Sequence, residues 1–266
     1  MKRQLMIFCA FAILVIACKK ANTEAPADNS TNNNNNLPSG CFIKYMKSGT
    51  NITEAYEYTS SGKTSKVLDY DGGSPSGDYA SYTYSGNSVE VKDQAGTLIE
   101  KWMLNASGYV TKAYIHHLQD TVTIEYDADG YMTSQTMNSA NSHVISMVYT
   151  ISNGNPVTAT WVETFSGNTT TVIYSYEFGT ELRKSYLAGG HNEEFGGSYA
   201  YYYSCDAFKG KLTKNLVSRI IRDVNSGSSM DTTSYTYEFN DKAAITKINT
   251  ITSFGTTTKT FEYQCN

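Results

Sequence analysis

Tyrosine recurs along this chain at a spacing that a repeated two-stranded unit satisfies. Tyr58, Tyr84, Tyr126, Tyr149, Tyr176, Tyr202, Tyr237 and Tyr263 stand mostly 23 to 27 residues apart, in limbs such as AYEYTSSGK, SYTYSGN, TIEYDADGY and YTYEFNDK. One gap of 42 residues holds an extra unit, LIEKWMLNASGY, with Trp102 and Leu104 in the tyrosine positions; a gap of 35 marks a longer connection. About 25 residues accommodate two strands and two turns, so each unit reads as a β-hairpin. Within YTYEF, alternation sends Tyr235, Tyr237 and Phe239 to one face and Thr236 and Glu238 to the other.

Tyr and Thr suit a half-buried pleated surface, and helical spacing is absent from any long window. The expected fold is all-β: an antiparallel meander of about 16–18 short strands, closed or nearly closed into a flattened barrel built from repeated hairpins. Flattening is expected because a circular barrel of that size has a lumen too wide for side chains to fill. An open, twisted meander with edges near Cys41 and Cys265 is the alternative.

The segment Asp127-Ala128-Asp129-Gly130 has the look of half a metal loop. The equivalent positions elsewhere read SSGK, NASG, SNGN, FSGN and NDKA, which share turn chemistry but no fixed carboxylate. Metal ligation needs several oxygens at defined offsets, whereas a hairpin turn needs residues tolerant of positive φ. The segment is therefore expected to be a turn, and no metal site or cofactor is expected. Gly62-Lys63-Thr64 fails as a phosphate loop, because Glu57 stands where the first glycine should be. His116 and His117 are neighbours on an expected strand, face opposite sides, and cannot share a metal.

The chain opens MKRQLMIFCAFAILVIACKK, with Lys2 and Arg3 before an apolar run from Leu5 to Ala17. That run is shorter than the ~20 residues of a membrane-spanning helix and reads as an export signal over residues 1–17. Val15-Ile16-Ala17-Cys18 resembles the bacterial lipobox, which implies lipidation at Cys18 and a palmitate-bearing anchor. Residues 19–39 are nearly free of apolar side chains and include five consecutive asparagines, Asn32 to Asn36. Such a segment buries too little surface to offset the entropy of ordering it. Residues 18–40 thus form a tether and residues 41–266 a single β domain.

Without residues 1–17 the chain keeps 19 basic against 25 acidic residues, a formal charge of −6, and no basic patch suggests nucleic acid. An oxidising compartment permits a disulfide among Cys41, Cys205 and Cys265. Cys41 with Cys265 would clip the two ends of the domain together; Cys41 with Cys205 is the rival.

Tyr126-Asp127-Ala128-Asp129-Gly130-Tyr131 resembles the YD repeats of Rhs-type surface and toxin proteins. The lipobox, the asparagine-rich tether and the late segment SYTYEFNDKAAITKINTITSFGTTTKTFEYQC together resemble a family of uncharacterised bacterial lipoproteins described as having a porin-like fold. That resemblance implies a cell-envelope protein, lipid-anchored to the outer membrane and extracytoplasmic. It carries over no catalytic residues.

Two interruptions of the repeat are the candidate ligand sites. LAGGHNEEFGG places His191, Glu193 and Glu194 between glycine pairs, where a histidine beside carboxylates could bind a ligand or exchange protons. Tyr199, Tyr201 and Tyr203, near Phe195 and the lysines of CDAFKGKLTKNL, offer rings on which a sugar could stack. The expected function is a binding or structural module with a carbohydrate or envelope-protein partner. A glycan-directed enzyme using the His191 loop is the alternative, and an outer-membrane pore the third. Charges within SKVLDY, VEVKD and IEKWML argue against the pore.

Overall fold

A computed structural model describes residues 41–116, 118–139, 142–182, 210–211, 213–224 and 229–265. Its sixteen strands are β1 (Cys41–Ser48), β2 (Asn51–Tyr58), β3 (Thr64–Asp71), β4 (Ser74–Ser85), β5 (Ser88–Lys92), β6 (Leu98–Leu104), β7 (Val110–Ile115) and β8 (Asp120–Tyr126), then β9 (Met132–Asn138), β10 (Val144–Ser152), β11 (Asn155–Phe165), β12 (Asn168–Leu182), β13 (Asn215–Val224), β14 (Ser229–Phe239), β15 (Ile245–Thr252) and β16 (Gly255–Cys265). Each pairs antiparallel with its sequence neighbours, and β1 pairs with β16. The meander therefore closes into a barrel, and the open alternative is excluded. β1 starts and β16 finishes at the same end, termed the near end; odd strands run from it to the far end and even strands return.

Alternation decides which face is wet. Val89 and Val91 on β5, Trp102 on β6, Val122 and Ile124 on β8, Ile145, Met147 and Tyr149 on β10, and Tyr174 and Tyr176 on β12 are all buried. Buried apolar residues from all sixteen strands join one cluster. The inner face of a one-layer barrel is the face that closure can shield. Among the described residues the interior is thus mainly apolar, with Glu100, Asp120, Gln135 and Thr213 as its buried polar members.

The outer face is ionic. Glu90 and Lys101, directly opposed and central in β5 and β6, lie 3.2 Å apart. Glu177 opposes Arg219 at 2.8 Å, Glu238 opposes Lys247 at 2.8 Å, and Lys47 pairs with Glu262 across the β1–β16 seam. Exposed pairs of this kind add little stability each, but they mark a wall built to meet water. Lys66 lying 3.7 Å from the Tyr79 ring centroid adds a cation–π contact on the same face.

The tyrosine period has a structural cause. Along an even strand returning to the near end, a tyrosine hydroxyl reaches back to a carbonyl early in the preceding odd strand. Tyr58 donates to Ile43 O at 2.8 Å, Tyr84 to Thr64 O, Tyr126 to Val110 O and Tyr237 to Val217 O at 2.7 Å each, and Tyr263 to Ile245 O. Each bond ties the open end of one hairpin. Burial pushes the phenols of Tyr58, Tyr84 and Tyr263 above their usual value of 10, so they remain donors. Where tyrosine is replaced, in β6, the Trp102 indole donates instead to Glu100 Oε2 at 2.8 Å.

The turn at Asp127 to Tyr131 repeats another device. Asp127 Oδ1 accepts from the amides of Asp129 at 3.0 Å and Tyr131 at 2.9 Å. Asn105 Oδ1 does the same for Ser107 and Tyr109, and Asn240 Oδ1 for Lys242 and Ala244. Neutral amides do the work of the aspartate, so the position needs an acceptor and not a charge. Gly130 has φ +85°, and a Cβ there would lie 2.9 Å from the Tyr109 ring.

Two local expectations change. A register shift between Glu238 and Phe239 breaks the alternation of YTYEF, leaving Tyr235 buried and Phe239 exposed. β7 ends at Ile115, and His116 enters a turn, donating its amide to Ile99 O at 2.8 Å ahead of Gln119 at φ 57°. His116 is therefore not a strand residue, and His117 lies outside the described residues.

The hydroxyl clamp gives a direct prediction. Tyr126→Phe keeps the ring and deletes the bond to Val110 O, and should lower unfolding free energy by about 1 kcal/mol, read from urea denaturation. Tyr114→Phe, with its half-exposed ring on the outer wall, should change it by much less.

Candidate functional site

The two ends of the barrel differ in chemistry. At the near end five inward tyrosine hydroxyls are spent on the chain's own carbonyls. There too the connection after β12 returns. Lys211 N donates to Gly130 O at 2.8 Å and forms a parallel bridge with Tyr131. Lys214 N donates to Gly154 O at 2.7 Å, and Asn155 Oδ1 accepts from Lys214 N and Asn215 N at 2.9 Å each. The returning segment is thus stitched to the turns after β8 and β10. His191, Glu193, Glu194, Phe195, Tyr199, Tyr201 and Tyr203 fall between Leu182 and Gly210 and lie outside the described residues.

The far end is charged on its inner face. Glu54 shares a face with buried Tyr56, Asp69 with Val67, Glu100 with Trp102, Asp120 with Val122, Glu163 with Trp161, and Lys259 with Phe261. By the same alternation His143 follows Ile145 and Arg222 follows Ile220 onto that face, where Asp231 opposes Arg222. All nine lie in the far halves of the barrel or in the turn before β10. An apolar interior thus gives way to a polar mouth.

Several of these groups are already engaged. Tyr56 donates its hydroxyl to Glu54 Oε2, and Glu54 directly opposes Asp69. Burial raises the Glu54 carboxyl above its ordinary 4.5, the Tyr56 bond and Lys259 pull it back, and Asp69 adds to the rise. Asp69 is raised above 3.8 by burial and by the charge of Asp78. His143 Nε2 lies 2.6 Å from Glu163 Oε1, with the imidazole edge-on to Phe165. Arg222 and Asp231 pair at 3.2 Å and are the exposed lip of the mouth. Glu100 is 2% exposed; Asp120 is 5% exposed, and its Oδ1 has no hydrogen-bond partner. An unsatisfied buried oxygen is costly, so the mouth holds acceptor capacity that the fold does not use.

Chemically the mouth can do one thing well. Carboxylates, a guanidinium, an ammonium and an imidazole around the end of an apolar core are groups that can bind a polar ligand by directed hydrogen bonds. Among the described residues no group of three or more His, Cys, Asp or Glu side chains has the geometry of a metal site. The sequence reading missed this mouth, because each strand contributes one or two of its residues. The available signal was an ionisable residue in a strand's inward phase near a far-end turn.

Two crystal structures of porin-like proteins from Bacteroides share the fold. The one from Bacteroides uniformis ATCC 8492 superposes with TM-score 0.60 at 15% identity, covering 84% of this chain and 98% of that one. The one from Bacteroides vulgatus ATCC 8482 gives 0.57 at 12% identity, covering 83% and 98%. No protein-family model matches the sequence, and no curated protein matches it. The likeness shows a shared closed barrel and nothing finer.

Because burial raises Glu54 and Asp69, folding shifts both groups toward their neutral forms relative to the unfolded chain. Stability from these groups is fully present below their unfolded values near 4 and falls as pH rises through the raised folded values. Glu54→Gln retains an acceptor for Tyr56 and removes the charge. Its melting temperature should exceed that of the wild type at pH 7, with the difference vanishing near pH 3, in a thermal unfolding series.

Proposed function

We propose that the protein is a lipid-anchored, extracytoplasmic binding module that recognises a glycan at the far mouth of its barrel. One observation carries the reading. The outer wall has ion pairs at mid-strand, Glu90 with Lys101 above all, while most apolar side chains point inward and Val148, Val157, Ile173 and Ile251 are exposed singly on the wall. A bilayer would meet charge where a membrane barrel shows an apolar band. A wall of this kind favours water, so membrane attachment falls to the acylated Cys18 and its tether. The pore reading loses support for the same reason.

β1 begins at the near end, so the far mouth lies at the end of the barrel opposite to the one where the β domain begins. Charged side chains with an exposed aromatic neighbour, Phe165 beside His143, suit a hydroxyl-rich or aminated sugar. The enzyme alternative draws on His191, Glu193 and Glu194, on which the described residues bear no observation, so binding without turnover is the function advanced.

Two measurements test this. Growth with labelled palmitate should mark the wild type, and Cys18→Ala should lose the label and move to the soluble fraction; a chain beginning at Gly40 should be soluble without detergent. On a glycan array that soluble chain should retain a glycan, and Arg222→Ala with His143→Ala should reduce retention at least tenfold without lowering the melting temperature by more than a few degrees. Detergent-dependent solubility would overturn the anchoring, and unchanged retention would overturn the site.

A further inference from the structure

We infer that Cys41 and Cys265 form a disulfide that seals the seam of the barrel. Fifteen of the sixteen strand pairings join sequence neighbours; the sixteenth, β1 with β16, brings together the two ends of the domain. Its register opens with Cys41 opposite Cys265 and runs to Ser48 opposite Lys259, with a shift between Ile43 and Tyr45. Directly opposed residues of an antiparallel pair have Cα atoms about 4.5 or 5.5 Å apart, depending on their hydrogen-bonding phase. A disulfide spans roughly 4.4–6.8 Å between Cα atoms. Either phase therefore admits the bond without moving the backbone.

The position suits the chemistry. This is the first rung of the one pairing among the described strands that no hairpin turn supports, so its opening would leave two free sheet edges, and it lies at the near end, where fraying of the chain ends would begin. Cys205, the rival partner, belongs to the connection between β12 and β13, whereas register alone puts Cys265 opposite Cys41. Two thiols become one disulfide and give up two electrons and two protons. A protein disulfide of the oxidoreductase class takes them by exchange: one thiolate attacks it to form a mixed disulfide, the second displaces the carrier, and the carrier leaves as a dithiol. In the cell that step rests on the extracytoplasmic location proposed above, because the cytoplasm keeps thiols reduced.

The test separates the two ideas. Purified full chain is equilibrated in an oxidising glutathione buffer, free thiols are alkylated, and the protein is digested without reductant. The expected result is a peptide pair joining Cys41 to Cys265, with Cys205 alkylated. Free Cys41 and Cys265, or Cys41 joined to Cys205, overturns the proposal. The pairing read in glutathione buffer does not depend on where the cell keeps the protein, so a failure of the proposed location leaves that result standing. Reduction should lower the melting temperature by something on the order of 10 °C and speed amide exchange in β1 and β16 more than in β8 and β9. Cys41→Ser with Cys265→Ser should show the lowered value and no response to reductant, while Cys205→Ser should behave as wild type. Equal exchange across all strands on reduction would deny the bond its place at the seam.

Discussion

A wall one strand thick has two faces, and closing it on itself leaves the inner one able to escape water. Everything else in this fold is arranged around that constraint. Period-two alternation can supply one apolar row per strand, and sixteen such rows meet inside. The outer rows are then free to carry Thr, Lys, Glu and Arg, and opposed charges such as Glu177 and Arg219 settle into register across neighbouring strands. Closure also removes the unpaired edges that a long meander would otherwise offer for aggregation.

The hairpin clamp explains why the aromatic of choice is tyrosine. A phenylalanine would fill the same inward space, but a buried carbonyl near the start of the odd strand would lose its partner. Tyr84 reaching Thr64 and Tyr237 reaching Val217 join strands 20 residues apart along the chain, each bond closing the end of a hairpin opposite to its turn. Repeating the same bond in five of the eight hairpins makes stability largely a matter of local units with short contact range. The β1–β16 pairing is the exception, since it spans the whole domain.

Much of the fold was legible because two periods are written into the chain at once, one of two residues and one of about 25. The strand count and the inward tyrosines follow from these, as does the turn at Asp127, where Asn105 and Asn240 do the same work. Closure followed less directly: nothing local in CFIKYMKS or GTTTKTFEYQC says that they pair. The bulge at Glu238 and Phe239 was invisible, since one inserted residue does not alter a sequence's apparent alternation. The far mouth was hidden for a related reason. His143 and Glu163 stand 20 residues apart and meet through the β10–β11 register, while Glu54 and Asp69 meet through β2–β3. Reading them together requires knowing every register in between, which a spacing rule does not provide.

The porin-like geometry and the solvent preference of this barrel are separate properties. Strand number and antiparallel order set the shape, and these persist in folds that share few residues. Which face is apolar is set by the phase of the alternation, and shifting every strand by one residue would exchange inside for outside. Here the phase puts most of the buried Val, Met, Tyr and Trp side chains within and the ionic pairs without. The departures from that phase are therefore informative. Inward charge costs burial energy unless it is paired or reaches water, and among the described strand residues it gathers toward the far end, where Arg222 and Asp231 stand exposed and Glu100 and Asp120 do not. A fold that kept its core apolar for stability alone would have no use for an unsatisfied carboxylate oxygen at Asp120. Its place among the charged groups of the far end is, among the described residues, the physical reason to look for a ligand there.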